Sequence, residues 1–272
     1  MNILLTNDDG WEAPGIQTLL GSLREAGHTV TMVAPLSQQS GRSSATNTAV
    51  GSEVSIVEQA KGVWSVDGTP ADSVKAALGI VMADKLPDLT ISGANFGPNV
   101  GQQTVLHSGT LGASLTSHHA GIPAIAVSVG LKIDERSSTP PFKSTIAGFA
   151  IAASFLNDLM SNLIEKNGCA SPLGGNHILS TNVPVSNDKI NGVVYAPLSH
   201  NELFNLVWKR DADGVNRVGF KPADRSIGAE NDDVGYFARG YITVTPINGN
   251  LTASPAGETS WAPDLEGIKL AH

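Results

Sequence analysis

Cysteine is almost missing from this chain: Cys169 is the single one in 272 residues. One thiol rules out an internal disulfide and any cysteine-built zinc site, and it fits a reducing compartment. Positive charge is also scarce. A formal net charge of −8 argues against a general nucleic-acid surface, because phosphate backbones need clustered Lys and Arg. It leaves room for one small phosphorylated ligand, which a metal and backbone amides can hold. No basic, apolar leader opens the sequence and no apolar run approaches the length of a membrane span, so no membrane partner is expected and the cytoplasm is the expected location. There is no internal repeat and no low-complexity segment. No Gly-x-Gly-x-x-Gly follows the first strand-like run, which disfavours a dinucleotide-dependent dehydrogenase. The remaining composition is that of a globular chain long enough for one large α/β domain or a core with an appendage.

What is present is organised around the opening Met1-Asn2-Ile3-Leu4-Leu5-Thr6-Asn7-Asp8-Asp9-Gly10. Ile3, Leu4 and Leu5 form the short apolar run of a buried parallel strand. A polar cluster ends it, and Pro14-Gly15 opens an amphipathic segment with Ile16, Leu19, Leu20 and Leu23. The loop between lies at the carboxyl end of a strand, where open α/β sheets bind ligands. Adjacent carboxylates repel, and a cation keeps both ionised; Asp8 and Asp9 also suit a turn or a helix cap.

Along the chain, residues 1–130 read as repeated βαβ units. Helices are expected over residues 15–26, 73–83 (after a turn over 67–72), 111–120 and 144–163, and strands over 28–34, 88–91, 122–128, 177–183 and 241–246. Alternating Val54, Ile56, Val63 and Val66 predict a hairpin within residues 46–66. From Val193 onward charged and polar residues intersperse with aromatics such as Phe204, Trp208 and Phe220. Beyond Asn250 periodic signals fade.

Three loops converge. Asp8 and Asp9, Ser40, and Asn95 each follow a predicted parallel strand, so they can open on one edge of one sheet. Their carboxylate, hydroxyl and amide oxygens are hard ligands that suit Mg²⁺ or Mn²⁺ and suit zinc poorly. Ser108-Gly109-Thr110 precedes a helix, where free N–H groups and the positive dipole end favour an anion, although a plain Ser N-cap reads the same way. Asn99 is a turn residue or a phosphate donor, and His107 either lines this pocket or donates to phosphate. An oxygen-ligated metal beside an anion-binding helix end suggests phosphate-ester hydrolysis.

Taken in order, these segments resemble the survival protein SurE family of metal-dependent 5′/3′-nucleotidases. The likeness rests on Ile3-Leu4-Leu5-Thr6-Asn7-Asp8-Asp9-Gly10 with Ala13-Pro14-Gly15-Ile16, on Val33-Ala34-Pro35 with Gln39-Ser40-Gly41, and on Gly68-Thr69-Pro70-Ala71-Asp72. It continues through Ser92-Gly93-Ala94-Asn95-Phe96-Gly97-Pro98-Asn99, Ser108-Gly109-Thr110, Gly121-Ile122-Pro123-Ala124-Ile125-Ala126-Val127-Ser128, Asn182-Val183-Pro184 and Gly240-Tyr241-Ile242-Thr243-Val244-Thr245-Pro246. The resemblance implies a Rossmann-like three-layer α/β/α sandwich with a mostly parallel sheet over residues 1–192. It further implies a C-terminal β-rich arm over 193–250, exchanged between subunits of a homodimer or tetramer, and a tail over 251–272. It implies that Asp8, Asp9, Ser40 and Asn95 hold one divalent cation per subunit, and that Asn99, Ser108, Gly109 and Thr110 surround the phosphate of a nucleoside monophosphate. Asp8 and Asp9 are then the catalytic pair, and short polyphosphate is a further substrate.

His107, where the family commonly has Tyr, Ser73 for a frequent Cys, and Asp232-Asp233 for a usual Thr-Asp pair depart from the pattern, as does the loosely matching region 201–231. The competing readings are a nucleotide-sugar-dependent transferase holding its diphosphate through Asp8-Asp9 and Mn²⁺, and a non-catalytic module that binds metal and nucleotide.

Overall fold

β1 (Asn2–Thr6) is buried along its whole length. Its successive side chains serve opposite faces of a sheet: Ile3 and Leu5 join one core, Leu4 the other. The structure, a computed structural model, describes residues 1–169, 171–185, 190–222 and 231–250; the tail over 251–272 lies outside the described residues. α1 (Pro14–Glu25) begins on a proline whose fixed φ and missing N–H suit the first helical turn, and it buries Ile16, Leu19, Leu20 and Leu23. It returns the chain to β2 (Thr29–Pro35), parallel to β1. β3 (Ile56–Ala60) and β4 (Val63–Val66) form the expected hairpin, with β4 parallel to β2. Thr69 and Asp72 make a reciprocal capping box that starts α2 (Pro70–Ala76), which loosens into a π-helical turn over Ala77–Val81.

β5 (Leu89–Phe96) lies on the other side of β1, so β1 and β5 flank the point where the strand order reverses. Next come α3 (Gln102–His107), α4 (Gly109–His119), β6 (Ala124–Val129), a 3₁₀ turn over Ile133–Ser137, α5 (Lys143–Asn167) and β7 (Ile178–Val183). The chain continues with β8 (Val193–Tyr195), β9 (Phe204–Arg210), β10 (Asn216–Pro222), α6 (Asp233–Ala238) and β11 (Ile242–Ile247). The nine-stranded sheet runs β3-β4-β2-β1-β5-β6-β7-β11-β8. It is parallel from β4 through β7, while β3 and β11 are antiparallel to their inner neighbours. α1 and α5 cover one face with Phe149, Leu156 and Met160, and α2 and α4 cover the other. This is the expected α/β/α arrangement with a mostly parallel sheet. β9 and β10 pair only with each other.

Three local differences from the sequence reading have physical causes. β5 runs on to Phe96 instead of stopping near Ile91, so Asn95 sits inside a strand rather than after it. The extension passes Gly93, whose φ of +137° and approach to the Val127 carbonyl, 2.2 Å from where a Cβ would lie, admit only glycine. A register shift against β6 falls between Ser92 and Asn95. α3 occupies a stretch where the sequence pattern predicts no element, because the groups that cap it lie far away in sequence. α5 is long and apolar enough to match a membrane span by length and composition, contrary to the expectation that no run approaches one. Its stripe of Phe149, Ala152, Ala153, Leu156 and Met160 is buried against α1 and the sheet.

Candidate active site

The loop after β1 carries Asp8, 3% exposed, and Asp9, less deeply buried. Asp8 faces the start of α4: the Thr110 hydroxyl donates to Asp8 Oδ1 at 2.6 Å, and the nearby Gly109 and Thr110 amides favour its ionised form. A negative group is favoured at that helix end by the unpaired amides and the dipole. Gly109 must be glycine here, since a Cβ would lie 2.8 Å from Asp8 Cβ and 2.9 Å from its Oδ2. Asp9 turns toward β5, where its Oδ2 accepts the Phe96 N–H at 2.9 Å. The loop after β2 closes the third side: Gln39 N–H donates to the Asp8 carbonyl at 2.7 Å, and Ser40 Oγ accepts from Gln38 Nε2 at 2.7 Å. Asn95 is 9% exposed, and its Nδ2 donates to the Gly97 carbonyl at 2.8 Å, which leaves Oδ1 as the acceptor available to a cation.

Burial pushes Asp8 above the ordinary carboxylate range, against the Thr110 hydroxyl and the α4 amides, which favour its ionised form. Burial and then the charge of Asp8 push Asp9 up to about 6, against the Phe96 N–H. No lysine or arginine pairs with either carboxylate among the described residues. Nor do three His, Cys, Asp or Glu side chains gather anywhere among them. Two unpaired carboxylates, a hydroxyl and an amide oxygen therefore fit a hard divalent cation of the Mg²⁺ or Mn²⁺ type, with water completing its shell, and do not fit zinc. Asn7 adds an observation the sequence did not signal: its buried Oδ1 has no hydrogen-bond partner, one residue before Asp8.

The residues expected around the phosphate come from two places, the start of α4 and the loop after β5. Ser108 caps α4, its Oγ accepting the Leu111 N–H at 3.2 Å, and Gly109 and Thr110 are the first helical residues. Asn99 is buried against β6 and β7: its Nδ2 donates at 2.8 Å to Ser128 Oγ, the β6 partner of Asn95, and its N–H donates to Asn182 Oδ1 at 2.7 Å. The His107 carbonyl accepts from Ser43 N–H at 3.2 Å, which joins the loop after β2 to the α3–α4 junction. Ser128 and Asn182 are the residues that sequence reasoning missed. Their signals were to be polar within fully buried strands and to fall in segments that carry the family resemblance. A cavity of about 520 Å³ between α2 and α4, lined by Val74, Lys75, Leu78, Thr116 and His119 among others, contains none of these groups.

Comparison with known proteins agrees with this architecture. The family model described as survival protein SurE matches residues 3–205. The chain is 34% identical over 260 residues to the 5′-nucleotidase SurE of Clostridium botulinum (strain 657 / Type Ba4), covering 93% of this chain and 94% of that one. It is 34% identical over 262 residues to the 5′-nucleotidase SurE of Actinobacillus pleuropneumoniae serotype 5b (strain L20), covering 93% and 96%. The crystal structure of the SurE protein from Aquifex aeolicus superimposes with a TM-score of 0.74 at 26% identity, covering 93% of this chain and 95% of that one. The chain belongs to the survival protein SurE family.

Proposed function

We propose that this protein is a metal-dependent phosphomonoesterase that hydrolyses nucleoside 5′- and 3′-monophosphates to nucleoside and phosphate, with short polyphosphate as a further substrate. The observation that carries the reading is Asp8, held by Thr110 at the amino end of α4 beside the unpaired Asp9 at the β1–β5 switch point. The name 5′-nucleotidase carried by relatives of nearly full coverage supports it.

Asp8, Asp9, Ser40 and Asn95 would hold one Mg²⁺ or Mn²⁺. When bound, such a cation keeps both carboxylates ionised and draws charge from a phosphoryl oxygen. Asp9 serves mainly as a ligand. Asp8 has one oxygen engaged by Thr110, and the other takes a proton from the attacking water or attacks phosphorus itself. The Ser108–Thr110 helix end, with Asn99 behind it, orients the phosphate while charge builds on its oxygens. Self-association through the arm, as a homodimer or tetramer, is part of the proposal, and so is a cytoplasmic site of action for a chain with one free cysteine.

The test is phosphate release from a panel of nucleoside 5′- and 3′-monophosphates and tripolyphosphate, each with Mn²⁺, Mg²⁺ or EDTA. Release that EDTA abolishes is expected. Nucleotide binding without release under any metal would move the protein to the non-catalytic class. Binding of a nucleotide sugar, with no release from monophosphates, would move it to the transferases.

A further inference from the structure

α3 is short, polar and directly precedes Ser108-Gly109-Thr110. Its opening amides have no partners of their own in the helix, and nearly all are met from the C-terminal part of the chain. Gly101 N–H donates to Asp233 Oδ2 at 2.9 Å, and Gln102 N–H donates to the Ser199 carbonyl at 2.9 Å. Gln103 N–H donates to Glu202 Oε1 at 2.8 Å. Thr104 gives Glu202 Oε2 both its N–H, at 3.2 Å, and its hydroxyl, at 2.6 Å. The other oxygen of the buried Asp233 takes the Ser199 and Val234 amides at 2.8 and 2.9 Å, which locks the anchor in place. The far end of the helix completes the path, since Ser108 N–H donates to the Thr104 carbonyl at 3.0 Å.

We infer that Glu202 is a positioning residue for the phosphate-binding helix end, acting through Thr104 on Ser108, with Asp233 as its second anchor on Gly101. The inference rests on reading Ser108–Thr110 as part of the phosphate site. Glu202 and Asp233 touch no reacting atom. They fix the angle at which α3 delivers Ser108 to α4, and so the place of the Gly109 and Thr110 amides relative to Asp8. Small displacements of such donors lower turnover far more than they weaken substrate binding. Because Glu202 and Asp233 lie on either side of β9 and β10 in sequence, the ribbon is rooted at both ends on this helix.

Hydrogen exchange of the purified full-length protein tests the anchor without any turnover, alongside steady-state kinetics and Mn²⁺ binding. In Glu202→Ala, exchange over residues 102–111 should rise by roughly tenfold while β1 stays unchanged. Saturating inorganic phosphate should still bind but protect residues 109–111 less than in the wild type. Where the wild type releases phosphate, kcat should fall about tenfold with KM and Mn²⁺ affinity within about twofold. Glu202→Gln keeps one acceptor oxygen and should recover part of both effects. Thr104→Val, which removes only the hydroxyl bond, gives the same direction in a chain that still folds. Unchanged exchange over 102–111 would overturn the inference, as would an equal rise in β1, which would make Glu202 a general prop. A wild type that releases no phosphate, yet shows the exchange contrast and phosphate protection, would leave the anchor standing and remove the nucleotidase reading.

Discussion

Asp8 and Asp9 are adjacent in sequence yet point to different elements, Asp8 to the start of α4 and Asp9 to the end of β5. One loop thus ties two sides of a site together. Asp8→Asn keeps the shape and the acceptor for Thr110 but removes the charge, so turnover should fall by at least about a thousandfold with the fold intact. Circular dichroism and phosphate release together check it, and substantial residual activity would remove Asp8 from the chemistry. pH separates the roles of the proton and the cation. Asp9, raised to about 6 from 3.8, binds its proton more tightly in the folded state than in the unfolded one. Its contribution to stability is therefore complete below about pH 4 and is lost as pH rises through about 6. Melting curves in EDTA should decline across that window, and Asp9→Asn should flatten part of the decline. Asp233, also pushed up to about 6 by burial, accounts for a further part. Mn²⁺ competes with the proton, so the gain in Tm on adding it should grow over the same range. A gain that does not vary with pH would mean that no cation sits on this pair.

At the scale of elements, α4 is the part that must approach most closely. Gly109→Ala places a methyl against Asp8, which should cost about 1–3 kcal/mol of stability and most of the activity. Thermal unfolding and kcat read the two effects separately, and a variant with normal kcat would mean that α4 does not orient Asp8. Which elements were legible follows from where their determinants lie. β1, α1, β2 and β6 carry their own signals: apolar runs, a proline start, an amphipathic stripe. The placing of Asp8, Asp9, Ser40 and Asn95 toward one sheet edge was legible for the same reason, since they sit at or beside strand ends that announce themselves. β5 beyond Ile91 was not, because Gly93 and Gly97 look like breakers until β6 supplies a partner across the register shift. α3 was not, because Glu202 and Asp233, its caps, lie 99 and 132 residues downstream of the amides they accept from. The bonds of Asn99 were not legible for a related reason: Ser128 and Asn182 engage it from the next two strands. Local pattern reports local causes, and long-range hydrogen bonds leave no trace in a window of sequence.

For the whole molecule, the open question is what the ribbon is for. β8 and β11 extend the main sheet, but β9 and β10 stand apart as a two-stranded sheet, which on its own is marginal in water. Directly opposed residues share a face, and Trp208 lies opposite Val218 with Leu206 two positions before it. All three are exposed, Trp208 at 78%. A large apolar face on a structure too thin to bury it calls for a second surface, and the proposed exchange of this arm between subunits provides one. Trp208→Lys puts a charge into that contact and forfeits burial worth about 2–3 kcal/mol per protomer. Both protomers carry the change, so the dimer Kd should rise by roughly a thousandfold or more, read by light scattering across a dilution series. Because Glu202 and Asp233 grip α3 at the base of the arm, the dissociated protomer should keep its phosphate-site exchange pattern and much of its kcat. If it dissociates and loses both together, the partner subunit, and not the root of the arm alone, holds the phosphate helix in place. If it stays associated, the arm's apolar face lies outside the subunit contact.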